Sequence, residues 1–592
     1  MLYGIKILQE CFRPILPSFQ SRLESLFSSS VSTPSSGSLE SVCAAYQSTL
    51  RFLSLSYELV AGAFLDIAEP ATGAKKDTGL MVYDDMMKVF FQVSAPFSNY
   101  QQRFDQLELK HSKVATELVS KDIQQAVGSV SSSSNINLAT LQDATERLKD
   151  LAPFIFPMME GSLDRFELLL NGYKVAEAIA AVDTVLADHA GEVVIAIRTL
   201  SAAMTADANR LADSFDEQHV LCAMEVLKIA GSFKRDLRSF EGKSRERIRM
   251  LAERMEAHLA REEMVNETRK STKAKNPFVL PDSLSVVEID SILTSATCSD
   301  SSDDDGQNGS LLVLQRIAVT ETERSAASLY PETGEAIIRL ANSCHTFVFD
   351  VCSAVPRKHL GDISSMNVWQ KAEDSSSLDS YGTLPQQYIT HVGEHMLALV
   401  QALEPFASDP EALGLANEVM EGVRDVALQA WSEFVSAAGL VGSDSVIGIL
   451  MNGKNLAEFV LNNAALDEED AALEEDAGET EREIAAFCNL WLDLLGLDVT
   501  GRLLERIMRI PQLTSKGCEH LSSDLNYLVN VFSALGVAGH PHPLVSHLAE
   551  LANQSDGDLR AQISSRDRNN PVESALRAVE VRMALLRGIV VN

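Results

Sequence analysis

In segment after segment of this chain apolar residues return every three or four positions, and no segment alternates apolar with polar as a sheet strand would. In PQLTSKGCEHLSSDLNYLVNVFSALGV, Pro511 to Val537, such a stripe holds Leu521, Leu525, Leu528, Phe532 and Leu535. Pro511 blocks a helix arriving from upstream, Thr514 or Ser515 can cap the start, and Gly536 suits a left-handed C-terminal cap. In SYGTLPQQYITHVGEHMLALVQALEPF the stripe is Leu384, Tyr388, Val392, Met396, Leu399 and Leu403. Thr383 and Gln386 have capping-box spacing there, and Pro405 is expected to stop the helix. A longer helix is expected over 233–264, with Phe240, Ile248, Leu251, Met255 and Leu259 inward. Stripes of this one period are buried by packing helix on helix, so the fold class expected is all-α.

Composition agrees. Aromatics are 6% of the chain, and Leu and Ala dominate the periodic segments, which favours helices over sheets. A length of 592 residues exceeds what one core serves and suggests about four domains or sub-domains. Ser/Gly/Pro-rich or charged stretches mark the divisions. The expected blocks are 1–127, 139–269, 284–355 with an acidic loop over 298–310, and 384–592 with an acidic insertion over 466–484. No fixed short repeat is present.

The net charge of −33 opposes general binding to nucleic acid or anionic membranes. The N-terminal MLYGIKILQECF is broken by Lys6 and Glu10 and makes a poor signal peptide. No run approaches ~18 uninterrupted apolar residues, so no transmembrane helix is expected. The 8 cysteines form no C-x-x-C pair and read as thiols buried in a reducing, cytosolic compartment.

Several segments imitate chemical motifs. His391 to His395, HVGEH, fits the inverted zinc-peptidase signature. On a helix His391 and His395 share a face and Glu394 could activate a zinc-bound water, with an acidic ligand from the run near Glu468. A zinc metallopeptidase is therefore one alternative, against the plainer reading that both histidines flank the apolar stripe. GILMNGKN nearly matches a phosphate loop, but Asn455 replaces the magnesium-binding hydroxyl, no strand precedes it, and Gly453 suits a helix end. DSSDDDGQNG puts Ser301, Asp303 and Asp305 at calcium-ligand positions around Gly306, yet Leu312 stands where the bidentate glutamate belongs. HPHPLVSH, His540 to His547, has prolines that make a turn and no cysteine nearby. No catalytic constellation, cofactor site or metal site is expected.

One segment departs in charge. Between Lys234 and Lys275 basic residues outnumber acids, and Lys243, Arg247, Arg254 and Arg261 fall four or seven apart, on one side of a helix. A solvated face accounts for each alone; together they could contact an acidic partner or a lipid surface.

Three segments resemble, in order, a known family. AKNPF, Ala274 to Phe278, is similar to its Ala-Lys-Asn-Pro-aromatic turn. LPQQYITHVGEHMLALVQALEPF is similar to its Leu-x-Pro-x-x-Tyr-Ile segment ending in Leu403-Glu404-Pro405-Phe406. IPQLTSKGCEHLSSDLNYLVNVFSALGV resembles its Ile-Pro-x-Leu turn, its Asp-x-x-Tyr-Leu-x-Asn-Val helix (Asp524 to Val531) and its Ala-Leu-Gly end (Ala534 to Gly536). The family is subunit seven of the conserved oligomeric Golgi complex; before Ala274 the resemblance is loose, and the family's N-terminal coiled-coil region is expected to be missing. The resemblance implies an elongated rod of stacked antiparallel helical bundles, not an enzyme. It implies a peripheral tether on the cytoplasmic face of the Golgi membrane, acting in intra-Golgi retrograde transport and so in glycosylation. Implied partners are the complex's fifth, sixth and eighth subunits, with membrane-fusion and small-GTPase machinery; neither nucleic acid nor a cofactor is implied. A helical scaffold unrelated to the Golgi is the second alternative.

Overall fold

The computed structural model describes residues 2–28, 37–67, 75–132, 138–205, 217–270, 280–298, 306–318, 328–370, 384–413, 416–440, 444–451, 456, 479–537 and 539–591. Among these the regular structure is helix, and no strand occurs, as the single period requires. The chain divides into two compact units: 1–122, 151–192 and 234–337 in one, and 123–150, 193–233 and 338–592 in the other.

The first unit is built on α1 (Gly37–Ile67), α2 (Ile155–Leu170), the first part of α3 (Val175–Thr205), all but the first turns of α4 (Leu227–Lys270), α5 (Val286–Cys298) and the start of α6 (Pro331–Cys352). Its core is aromatic at the centre. Tyr46 meets Phe97 edge to face at 5.1 Å between centroids, and Phe104 packs near Phe166. The Tyr46 hydroxyl donates to buried Asp290 at 2.7 Å, and Gln101 donates to Tyr46 and to the Leu169 carbonyl. Phe240, Ile248, Leu251 and Met255 of α4 are buried as expected; Leu259 is only half-buried, where the stripe runs out. The start of α6 is capped from α3: Asp183 accepts from the backbone N–H of Glu332 and Thr333 at 3.0 and 2.8 Å.

The second unit continues with α7 (Gln387–Ala407), α8 (Ala416–Ala437), α9 (Glu479–Met508), α10 (Ser515–Leu535), α11 (Pro543–Asn553), α12 (Asp556–Ser565) and α13 (Pro571–Leu586). Helix α9 is buried on nearly all sides over its second half, from Trp491 to Ile507, because α7 and α8 both pack on it. Gly501 lets α8 approach: a Cβ there would lie 2.8 Å from Trp431 Cδ1, and Trp431 donates its indole N–H to the Leu497 carbonyl at 2.9 Å. The charged groups within this core are paired. Buried Asp498 accepts from Arg502 at 2.9 Å, and Asp350 accepts from Arg357 at 2.8 Å.

Six of the cysteines are buried, Cys488 is half-buried and Cys11 is exposed. Burial pushes the Cys43, Cys298 and Cys352 thiols up to about 12, so they stay protonated and inert.

Candidate partner-contact surfaces

The basic stripe of α4 is already paired within its own unit. Lys243 reaches Glu160 at 2.5 Å, Arg247 holds Asp164, and Arg254 donates to Glu167 at 2.7 Å, all on α2. Arg261 holds Glu288 on α5. Burial alone would raise the Glu288 carboxyl, but Arg261 and the N–H and hydroxyl of Ser285 pull it below the ordinary carboxylate range. The stripe is thus a mixed-charge seam between helices, with its cations a quarter to a little over half exposed. Neighbouring Arg245 and Arg249 pair within the helix, with Glu241 and with Glu246 and Glu253.

HVGEH lies on α7, but its groups point to other partners. The His395 Nε2–H donates to the Cys352 carbonyl at 2.8 Å, and burial lowers its pKa, so this imidazole is a neutral packing group. His391 accepts at Nε2 from the Gln387 amide at 3.1 Å and faces Glu394 with Nδ1 at 3.6 Å. Its ring lies 4.8 Å from that of His359. Gly393 clears space for a tyrosine: a Cβ there would fall 2.7 Å from Tyr527 Cε1 on α10. Among the described residues no group of three or more His, Cys, Asp or Glu gathers as a metal ion needs. The metallopeptidase alternative is therefore corrected: the spacing of HVGEH reflects packing on α10 and on the Cys352 turn.

The other imitations resolve in the same way or lie outside the described residues. His542 caps α11 by accepting from Leu544 N–H at 3.3 Å, and burial lowers it to about 3. His540 pairs with Asp493, and buried His547 with buried Glu580, both at 3.1 Å. Ser301, Asp303 and Asp305, Gly453 and Asn455, Ala274 to Phe278, and the acidic run near Glu468 are all outside the described residues.

The segment quoted first folds as its punctuation predicts. Thr514 caps α10 by accepting from Gly517 N–H at 3.1 Å, and Gly536 ends it with φ of 66°. Leu521, Leu525, Leu528 and Phe532 are buried, while Leu535 is half-buried at the last turn. Thr514 also anchors to Trp369, donating its N–H at 2.9 Å and its hydroxyl at 3.1 Å to the Trp369 carbonyl. Gly517 makes that approach possible, because a Cβ there would stand 2.5 Å from the same oxygen.

The start of α7 differs from expectation. Gln386 occupies the cap position without a side-chain cap bond, and Thr383 lies outside the described residues. Asp524 of α10 supplies the acceptor from a distance: its Oδ1 takes Gln386 N–H at 2.6 Å and its Oδ2 takes the Tyr388 hydroxyl at 2.8 Å. Leu384 precedes the helix, is 79% exposed and does not join the stripe; Tyr388, Val392, Met396, Leu399 and Leu403 do. Pro405 falls inside the last turn, which closes at Ala407. Spacing within the segment missed Asp524 as a cap, although the signature marked it as a residue of interest.

A family model for Golgi complex component 7 matches residues 3–424, well over half of the chain. Conserved oligomeric Golgi complex subunit 7 of Arabidopsis thaliana is 20% identical over 480 residues, 78% of this chain and 48% of that protein. The subunit 7 of Bos taurus is 18% identical over 489 residues, 80% of this chain and 53% of that protein. That of Homo sapiens is 21% identical over 253 residues, 42% of this chain and 26% of that protein. The chain thus spans about half the length of the relatives to which most of it aligns. No solved structure matches it. The matched stretch includes the region before Ala274, where the signature segments had shown only loose likeness, and stops short of Ile510 to Val537. By that match along residues 3–424, the chain belongs to the Golgi complex component 7 family.

Proposed function

We propose that the chain is a non-catalytic subunit of a Golgi vesicle-tethering complex, acting in intra-Golgi retrograde transport and through it in glycosylation. The observation that carries this is the family match over 3–424. The all-helical fold supports it, since stacked helices offer long outer faces for other subunits. The matching relatives bear the name of a subunit of an oligomeric complex, which supports partners of the same complex; its fifth, sixth and eighth subunits are the ones proposed. Contact with membrane-fusion and small-GTPase machinery belongs to the same reading. Among the described residues no helix is long and apolar enough to cross a membrane, which suits peripheral attachment at the cytoplasmic face of the Golgi. Family membership argues against a scaffold unrelated to the Golgi.

The basic stripe enters this proposal as a contact made by exchange. An acidic partner or lipid headgroup would have to replace Glu160, Asp164, Glu167 or Glu288 on cations that already hold them. The blocks 1–127, 139–269, 284–355 and 384–592 are proposed as helical stretches of the chain divided by polar linkers, within the two compact units. Limited proteolysis should cut first between them; first cuts inside a block count against that division.

Affinity purification of the tagged chain from cells, with identification of stoichiometric partners, tests the function. Co-purification of the complex's other subunits is expected; a chain that returns alone or with unrelated partners overturns the reading.

A further inference from the structure

Beyond the stretch the family model matches, helices α10, α11 and α12 border an open cleft of about 410 Å³, a volume typical of a ligand site, with a mixed lining that carries several polar side chains. On its floor the Ser522 hydroxyl donates to the Ala549 carbonyl at 3.1 Å and accepts from Asn553 Nδ2 at 2.6 Å and Asn526 Nδ2 at 3.3 Å. Both amides are held by their nitrogen ends, so their oxygens are left for an incoming donor. On the wall Gln554 donates to Gln562 at 2.9 Å, and Gln562 donates to Glu580 at 2.9 Å. Glu580 is fully buried and fixed by Arg566 at 2.8 Å and His547 at 3.1 Å. That chain of bonds locks Gln554, whose Oε1 is buried with no hydrogen-bond partner. Glu550 adds an exposed carboxylate at the rim.

The cleft is therefore rich in acceptors whose donors are already spent. The charge of the nearby Arg587 is offset by Asp556 at 2.9 Å, and its other donors are spent on the Leu551 and Gln554 carbonyls. The chain as a whole, at −33, attracts positive charge. We propose that this cleft receives the guanidinium or ammonium side chain of a basic peptide segment in a partner protein. A planar guanidinium matches several fixed oxygens at once, and the cleft leaves room for the alkyl stem and flanking backbone.

The test uses the full chain at 0.15 M salt and three probes: a capped pentapeptide with one central arginine between glycines, its citrulline analogue, and capped arginine alone. Calorimetry should show saturable one-site binding of the arginine peptide. Citrulline, Asn553→Leu and Glu550→Gln should each weaken it about tenfold, the scale of one lost charge-assisted hydrogen bond. Asn553→Leu leaves the net charge unchanged, so mere attraction to an acidic chain would survive it. Both altered residues are exposed, and the thermal midpoint checks that each variant folds; should Asn553→Leu fail, Glu550→Gln with the citrulline comparison decides. Equal binding of arginine and citrulline peptides, unchanged binding by the folded variants, or no saturation overturns the proposal. Capped arginine binding as tightly as the pentapeptide overturns the peptide assignment in favour of a free small cation.

Discussion

Asp524 joins two helices through one carboxylate, satisfying the Gln386 N–H and the Tyr388 hydroxyl. Asp524→Ala leaves the buried Tyr388 hydroxyl and the half-buried Gln386 N–H unpaired and should cost about 2–3 kcal/mol, whereas Tyr388→Phe should cost about 1 kcal/mol. Denaturant unfolding of the two variants checks the order; a costlier Tyr388→Phe would contradict it. Titration gives a second reading at the same residue. Burial raises the Asp524 carboxyl to about 6, against the hydrogen bonds from Gln386 and Tyr388, which lower it. The folded state thus favours the protonated acid. Its contribution is fully present below the ordinary carboxylate pKa and is lost as pH rises through about 6. Measured against Asp524→Asn, the unaltered chain should have its relatively highest melting temperature near pH 4 and lose ground towards pH 7. The opposite slope would show that the hydrogen bonds outweigh burial.

At the scale of elements, α10 is the piece most tightly determined on every side. Leu525→Asp puts a charge into the stripe and should destabilise the second unit by about 3 kcal/mol or more. Unchanged thermal unfolding would show that the inward face is misplaced. Gly517→Ala should cost about 1–3 kcal/mol, because its Cβ must push against the Trp369 backbone, which cannot turn aside as a side chain can. The seam between α2 and α4 is a different kind of contact. A half-exposed ion pair contributes about 0–1 kcal/mol, so the seam selects how the helices pair more than it stabilises them. Arg254→Glu should lower the melting temperature of the first unit by setting two carboxylates together, and the added change Glu167→Arg should restore most of it. A double variant no better than the single one would show that the pair is incidental.

For the whole molecule, partner binding rather than chemistry is the expected output. Elemental analysis of the purified chain should find zinc well below one per chain, since His395 spends its Nε2 proton on the Cys352 carbonyl. One zinc per chain, lost in His391→Ala, would restore the peptidase reading. The stripe can be tested in the same preparations. With Lys243, Arg247, Arg254 and Arg261 all changed to Glu and helix content checked by circular dichroism, pull-down of partners and flotation on anionic liposomes should weaken if the exchange contact operates.

What the sequence determined alone is what one helical turn contains. Thr514 and Gly536 were legible as caps because the N–H and C=O groups they serve lie within a few residues along the chain. The stripes of α4, α7 and α10 were legible because a helix repeats its buried face every three or four residues, with errors only at the ends. The tertiary structure decided the rest. Asp183 and Asp524 cap helices 149 and 138 residues away, and Lys243 and Arg247 find their acids 83 residues away. No period in the sequence encodes such pairs; they exist because two helices have packed at one register. HVGEH shows the same limit from the other side. Its spacing is local and was readable, but what the imidazoles face across helices was settled by Cys352 and His359, brought near by packing.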